Sequence, residues 1–232
     1  MNYVENAIKG YVELEKKLEK EQEEKFGSSR YKQPVENMAT LRLATITSQD
    51  IDNIVKPFLY QWGRMQRVLG GPKWQSEIVP RLVKEISSNA DHLEDLRKRD
   101  LATMDLAQFQ SVIRKLYGSF KEALAGSGVA AAKLLHLICP NCLPAWDGAI
   151  ADAVRQELWV RMRIVEEVEP WSESDYYRFV EQIQTWLIRY GQVLSDLAKK
   201  CRGTHLGVLD AYLWWVTQRP FFLLSEGFRE HT

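Results

Sequence analysis

Residues 124–138 read LAGSGVAAAKLLHLI, and residues 139–154 continue as CPNCLPAWDGAIADAV. The first stretch places Gly126 and Gly128 two positions apart, between the end of one helical pattern and the start of an alanine-rich one. Glycine permits positive φ and a close approach of the backbone to a partner, and the amides at a helix start suit a phosphate. This stretch therefore predicts a helical hairpin, with Gly126, Ser127 and Gly128 as candidate contacts to a phosphate backbone.

The second stretch is a proline-containing loop that delivers an acidic residue to another helix start. Pro144 is followed by Ala145, Trp146 and Asp147, and an alanine-rich segment continues to residue 154. We predict a hairpin at 124–133 and a helix start bearing Asp147 within 144–154. The alternative for the hairpin is a tight turn between two core helices, because glycine also favours helix ends.

The rest of the chain predicts an all-α fold. Apolar residues recur at helical spacing from Ile51 to Val68, where Pro57 is expected to bend the helix, and from Leu106 to Leu124. We predict a charged N-terminal helix and a loop over 1–33, with Pro34 beside the loop, and a compact multi-helix domain over 34–232. No segment indicates a strand or an internal repeat.

Composition limits the classes of function. The 232 residues carry equal numbers of basic and acidic side chains, and a net charge of zero argues against indiscriminate binding of polyanions. Three cysteines and no apolar leader predict a reducing, cytoplasmic setting. The apolar run from Val129 to Ile138 is too short to span a membrane and contains Lys133 and His136.

The two quoted stretches together resemble the helix-hairpin-helix base-excision DNA glycosylase superfamily. That family has the pattern Leu-Pro-Gly-Val-Gly, an alanine-rich helix, and Pro-Val-Asp opening the next helix. The matching residues are 124–128 and 144–147, with a weaker likeness at 58–61 that ends in Gln61. The resemblance covers roughly residues 51–154. It implies that the partner is duplex DNA, including damaged duplex DNA, and that Asp147 stabilises the positive sugar as the base leaves.

One position departs from the family. Members with lyase activity carry a nucleophilic lysine two residues after the second hairpin glycine, where this chain has Ala130. Lys133 lies one turn further on and shares a helix face with Ala130, so it is the candidate nucleophile. The alternative is that the Lys133 ammonium reaches the surface or pairs with an acid. Without a lysine nucleophile, water would attack and the activity would be monofunctional.

Two further patterns have competing interpretations. Cys139 and Cys142 have the spacing of half a zinc site, but structural zinc needs two more ligands, and the chain is expected to bind no metal and no cofactor. Asp210 lies among aromatic residues that could line a base pocket, although core packing is the alternative.

The sequence therefore predicts a DNA-binding protein of the glycosylase type, which hydrolyses the N-glycosidic bond of a damaged or mismatched base. The first alternative is a non-catalytic helical binding module that shares the fold, with the charged first helix as a surface for a protein partner. The second is an unrelated helical domain in which the hairpin is only a turn.

Overall fold

A computed structural model of the chain describes residues 28–62, 65–146, 171–189, 191–192, 194–195 and 206. The described residues are mostly helical and contain no strand, which confirms the all-α prediction for this part of the chain. The α-helices are α1 (Ser28–Thr40), α2 (Ser48–Asp50), α3 (Gln66–Leu69), α4 (Val79–Ser88), α5 (Ala90–Arg97), α6 (Gln110–Ala123), α7 (Gly128–Ile138) and α8 (Glu173–Arg189).

Three π-helical segments and two short 3-10 helices complete the secondary structure of the described residues. The π-helical segments are π1 (Ile51–Val55), π2 (Phe58–Trp62) and π3 (Trp74–Ile78), and the 3-10 helices are Leu43–Thr45 and Leu106–Phe109. The helix predicted from Ile51 therefore contains two wide turns on either side of Pro57, instead of a simple bend. It begins at a capping box in which the side chains of Thr47 and Asp50 each accept the other residue's amide.

Helix α7 lies at the centre of the fold. Every residue of α7 except Val129 is buried. This burial follows from the alanine- and leucine-rich sequence, which has no polar face to turn toward water. It packs against α6, α1 and π2. On α6, the apolar residues Ile113, Leu116, Tyr117 and Phe120 recur at helical spacing and are all fully buried.

Helix α1 differs from the sequence prediction. The predicted loop beside Pro34 is helical from residue 28 onward, and Pro34 lies inside the helix. Pro34 and Met38 are buried one turn apart, so tertiary packing of this face offsets the hydrogen bond that proline removes. The boundary predicted between residues 33 and 34 falls within α1, and residues 1–27 lie outside the described part of the chain.

Arg97 joins the ends of two helices. Its Nη1 donates to the carbonyl of Leu41, directly after α1, at 3.1 Å, and its Nε donates to the carbonyl of Ile138, the last residue of α7, at 3.4 Å. Carbonyls at a helix C-terminus lack partners within the helix and carry partial negative charge, which suits a guanidinium. Among the described residues, no helix combines the length and the apolar character needed to cross a membrane.

Candidate functional site

A four-residue turn, Leu124 to Ser127, joins α6 to α7, as the sequence predicts. Ala125 and Gly126 adopt left-handed backbone with φ of 56° and 81°. The Gly126 amide donates to the carbonyl of Lys121 at 2.8 Å, and the Ser127 amide donates to that of Leu124 at 3.1 Å. Leu124 is fully buried and anchors the turn to the core, whereas Ala125 and Gly126 are exposed to solvent.

Ser127 begins α7 as its N-cap residue. Its Oγ accepts a hydrogen bond from the Ala130 amide at 3.3 Å. The first amides of an α-helix have no partner within the helix, and the helix dipole gives them partial positive charge. Gly128 and Val129 supply those amides in α7.

Gly128 has a different environment from Gly126. A Cβ atom on Gly126 would have no neighbour within 4 Å, whereas a Cβ on Gly128 would overlap Oη of Tyr117 and lie 3.3 Å from Cβ and Cε3 of Trp171. Gly126 is therefore required by its φ, and Gly128 by the close packing of two aromatic side chains.

Trp171 covers the start of α7 with an unusual backbone conformation. Its φ is 65°, which is uncommon for a bulky residue. The Trp171 amide donates to Oδ2 of Asp175 at 2.8 Å, and its carbonyl accepts from Nζ of Lys121 at 2.9 Å and from Oη of Tyr117 at 3.4 Å. Two helices, α6 and α8, thus fix this residue.

The loop after α7 is held by a buried histidine. Nδ1 of His136 lies 2.8 Å from the carbonyl of Leu143, so the Nδ1–H tautomer donates this hydrogen bond. Burial lowers the pKa of His136 to about 4, against a smaller opposing effect of that hydrogen bond, and keeps the ring neutral. The carbonyl of Pro144 accepts from Oη of Tyr176 at 3.2 Å, which fixes the next part of the loop.

Trp146 ends the described part of this loop inside an aromatic cluster. Its ring is stacked on Phe179 with centroids 5.3 Å apart, and it lies 4.7 Å from the ring of Trp171 and 5.7 Å from that of Tyr176. Such pairs add to the stability gained from burying their area. The residue that precedes Asp147 is therefore firmly placed in the core.

The structure brings together three of the five predicted site residues. Gly126, Ser127 and Gly128 form the hairpin turn and the start of α7. Lys133 lies further along α7 with 9% of its surface exposed. Asp147 lies outside the described residues, so its position beside the hairpin stays a prediction.

The two cysteines of the loop are buried and point to different neighbours. Sγ of Cys139 donates to the carbonyl of Leu93 at 3.6 Å, whereas Sγ of Cys142 lies 3.4 Å from Sδ of Met104. Burial raises the pKa of both thiols, that of Cys142 to about 12. In the part of the chain that the structure describes, no three His, Cys, Asp or Glu side chains are grouped as a metal site would require. Asp210 and the third cysteine, Cys201, lie outside that part.

Sequence reasoning did not predict the contact of Trp171 with the start of α7. The local pattern Ser172-Glu-Ser-Asp175 predicts a helix start, and the Asp175 amide donates to Oγ of Ser172 at 3.1 Å. Nothing local indicates the contact with Gly128.

Comparison of the chain with protein-family models, curated proteins and solved structures found no match.

Proposed function

We propose that the chain binds duplex DNA through the hairpin turn and the first residues of α7. The observation that carries this proposal is the exposed left-handed backbone at Ala125 and Gly126, directly before the capped start of a helix. A phosphate can approach Gly126 closely, because no heavy atom beyond the glycine and its two chain neighbours lies within 4 Å of the place where a Cβ would stand. Contacts of this kind position a protein on the DNA backbone without reading the bases.

The chemistry we propose is hydrolysis of an N-glycosidic bond at a damaged or mismatched base. The base would leave the stack, the N-glycosidic bond would break, and the carboxylate of Asp147 would stabilise the positive sugar. The oxygen of water would then bond to the sugar carbon, and a proton of that water would go to the departing base. The firm placement of Trp146 supports this role, because a residue that precedes a catalytic acid must hold it in a defined position.

The monofunctional reaction fits α7 better than the lyase reaction. Ala130 stands where the lyase lysine would be and is fully buried. Lys133 is also classed as buried, within a helix that packs on three neighbouring elements. A lysine nucleophile must reach the sugar carbon, and this placement favours water as the attacking group.

One observation favours the second candidate, a non-catalytic helical binding module. The small size of Gly128 is required by Tyr117 and Trp171, so that glycine serves the packing of the fold whether or not DNA is bound. The net charge of zero also favours the non-catalytic module, because affinity for DNA depends on positive charge. In this candidate, Asp147 has no chemical role.

Binding to duplexes that carry an abasic-site analogue, measured over a series of salt concentrations, tests DNA binding. Gly126→Ala changes the turn that would meet the phosphate, and we expect it to weaken binding about tenfold. Gly71→Ala is the matched control, because Gly71 also has positive φ and open space around it but lies outside the hairpin. Absence of binding at low salt, or an equal loss in both variants, contradicts the proposal.

Base release from duplexes with defined lesions tests the chemistry. We expect Asp147→Asn to abolish release while the affinity for the abasic analogue stays within about threefold, because the amide keeps the shape of the side chain but loses its charge. Wild-type protein that binds DNA and releases no base across the lesion series would support the binding module instead.

A further inference from the structure

The loop after α7 places two thiols and a thioether in one region of the core. Cys139 and Cys142 are fully buried, and Met104 is 8% exposed. Sγ of Cys142 lies 3.4 Å from Sδ of Met104. The amides of Cys142 and Leu143 both donate to the carbonyl of Cys139, at 3.0 and 2.9 Å, so the two cysteines lie at the ends of one tight turn.

The contact between Cys142 and Met104 is fixed by the backbone on both sides. The Leu101 amide donates to the carbonyl of Asn141 at 3.0 Å, which joins the segment that carries Met104 to the turn between the cysteines. From α8, the side-chain amide of Gln184 donates to the carbonyls of Leu101 and Met104 at 2.8 Å each. The two sulfur atoms are therefore held together by hydrogen bonds that neither side chain makes.

Two arginines supply positive charge near the thiols. Burial raises the pKa of both thiols, and the charge of Arg97 opposes this rise at Cys139 while that of Arg99 opposes it at Cys142, with nearby acids acting in the other direction. Nη2 of Arg97 and Nε of Arg99 are buried and have no hydrogen-bond acceptor among the described residues. A buried donor without an acceptor is costly, and negative charge on the sulfur atoms would reduce that cost.

We propose that Cys139, Cys142 and Met104 form a binding site for one copper(I) ion. Thiolate and thioether ligands are soft and select Cu(I), which two or three of them can hold, whereas structural zinc needs four ligands. The expectation from sequence that no metal binds rested on zinc. The absence of three grouped His, Cys, Asp or Glu side chains in the described part of the chain does not bear on a site that includes a thioether.

Binding needs a small rearrangement of one thiol. Sγ of Cys139 contacts the carbonyl of Leu93 at 3.6 Å and must turn away from it, which is a weak contact to lose because a thiol is a weak donor. Each cysteine releases its proton to water as its sulfur binds, so two protons leave for each ion and the copper keeps its oxidation state. Asn141, between the cysteines, is exposed, so the site lies directly beneath the surface.

Competition with a chromogenic Cu(I) chelator, in the absence of oxygen, tests the site in the full chain. We expect the protein to take one equivalent of Cu(I) from the chelator. Met104→Leu should weaken the affinity about tenfold, because leucine nearly keeps the volume and removes the thioether. Cys142→Ser should weaken it at least about a hundredfold.

Cys201→Ser is the matched control, because it removes a thiol and leaves the turn intact. We expect it to bind Cu(I) as the wild type does. An equal loss in Cys201→Ser and Cys142→Ser overturns the proposal, and so does an unchanged affinity in Met104→Leu.

Urea unfolding separates a site of the folded protein from binding to loose thiols. One equivalent of Cu(I) should raise the unfolding midpoint of the wild type and of Cys201→Ser, and raise that of Met104→Leu less. The midpoints without copper show whether each variant folds, and Met104→Leu decides the question if Cys142→Ser does not fold. A wild-type midpoint that Cu(I) leaves unchanged overturns the proposal. An equal or larger rise with one equivalent of Zn(II) overturns the assignment to copper.

Discussion

A Cβ atom placed on Gly128 would lie 3.3 Å from two atoms of Trp171, although the two residues are 43 positions apart in the chain. Tyr117 closes the same space from α6, and its hydroxyl would overlap that Cβ. The start of α7 is therefore shaped by one residue of α6 and one residue of the turn before α8.

Gly128→Ala should destabilise the protein more than Gly126→Ala. The first change overpacks a site bounded by two aromatic side chains, at a cost of roughly 1–3 kcal/mol. In Gly126→Ala the new methyl group has open space around it, and the left-handed backbone alone destabilises the protein, by about 1 kcal/mol. Urea unfolding of both variants, with Gly71→Ala as the control for positive φ, measures the difference. A Gly128→Ala variant as stable as Gly126→Ala would contradict the described packing.

Ala125→Gly should stabilise the protein. Ala125 has φ of 56° and is exposed, so glycine relieves the left-handed conformation without loss of packing. The gain is about 0.5 kcal/mol, because the relief of roughly 1–2 kcal/mol is partly offset by the greater freedom of glycine in the unfolded chain. The midpoint of urea unfolding should rise at constant slope. A lower midpoint would show that the turn has another conformation.

His136 should make stability depend on pH between about 4 and 6.5. Its folded pKa lies below the unfolded value, so the unfolded chain binds more protons in this range and stability falls as pH falls. The full loss is roughly 3 kcal/mol, since each pKa unit corresponds to about 1.4 kcal/mol. Denaturant unfolding at a series of pH values measures this slope.

His136→Asn is the control for that slope. The asparagine amide can donate to the carbonyl of Leu143 in place of Nδ1, and it does not titrate. Other groups that titrate in this range, including Glu181 with its pKa raised mainly by burial, contribute equally to both proteins. A slope that is the same with and without the imidazole would show that His136 is solvated in the folded protein.

Cys139 and Cys142 should react slowly with alkylating reagents in the folded protein. Both thiols are fully buried and have raised pKa values, so few thiolates form at mildly alkaline pH. Alkylation in native buffer should be at least about a hundredfold slower than in denaturant. Peptide mass mapping after a time course measures each site. Rapid native labelling of the peptide that contains both residues would contradict their burial.

Asp52 should stabilise the contact between π1 and π3. Its Oδ1 accepts from Nε1 of Trp74 at 2.9 Å, and the side chain of Gln75 donates to both carboxylate oxygens. Asp52→Ala leaves the indole donor of a residue that is 1% exposed without this acceptor, at a cost of about 1–3 kcal/mol. A double-mutant cycle with Trp74→Phe measures the coupling. Additive effects of the two changes would argue against the hydrogen bond.

The features that sequence reasoning predicted are those with local causes. The hairpin follows from glycine at a position of positive φ and from Ser127 as a helix cap, and both are short-range preferences. The apolar repeat of α6 likewise needs only its own residues. The arrangement around Trp171 could not be predicted, because it depends on contacts with residues far away in the chain.

Two differences between sequence and structure have the same physical origin. Pro34 usually ends a helix, yet the packing of α1 on α7 keeps it helical. The wide turns of π1 and π2 could not be predicted, because the apolar spacing from Ile51 onward is compatible with both α-helical and π-helical turns. The position of Asp147 remains the part of the site that only the family resemblance predicts.

The π-helical turns also determine where this protein can accept a change in chain length. In π1 the hydrogen bond from the Lys56 amide to the Ile51 carbonyl spans five residues, one more than in an α-helix. Removing a single residue there would convert the wide turn to an ordinary α-helical turn and leave the residues that follow facing nearly the same way. Phe58 and Leu59 would then stay buried, so this segment should tolerate the loss of one residue better than an α-helix of the core, where the same loss rotates all that follows by about 100°.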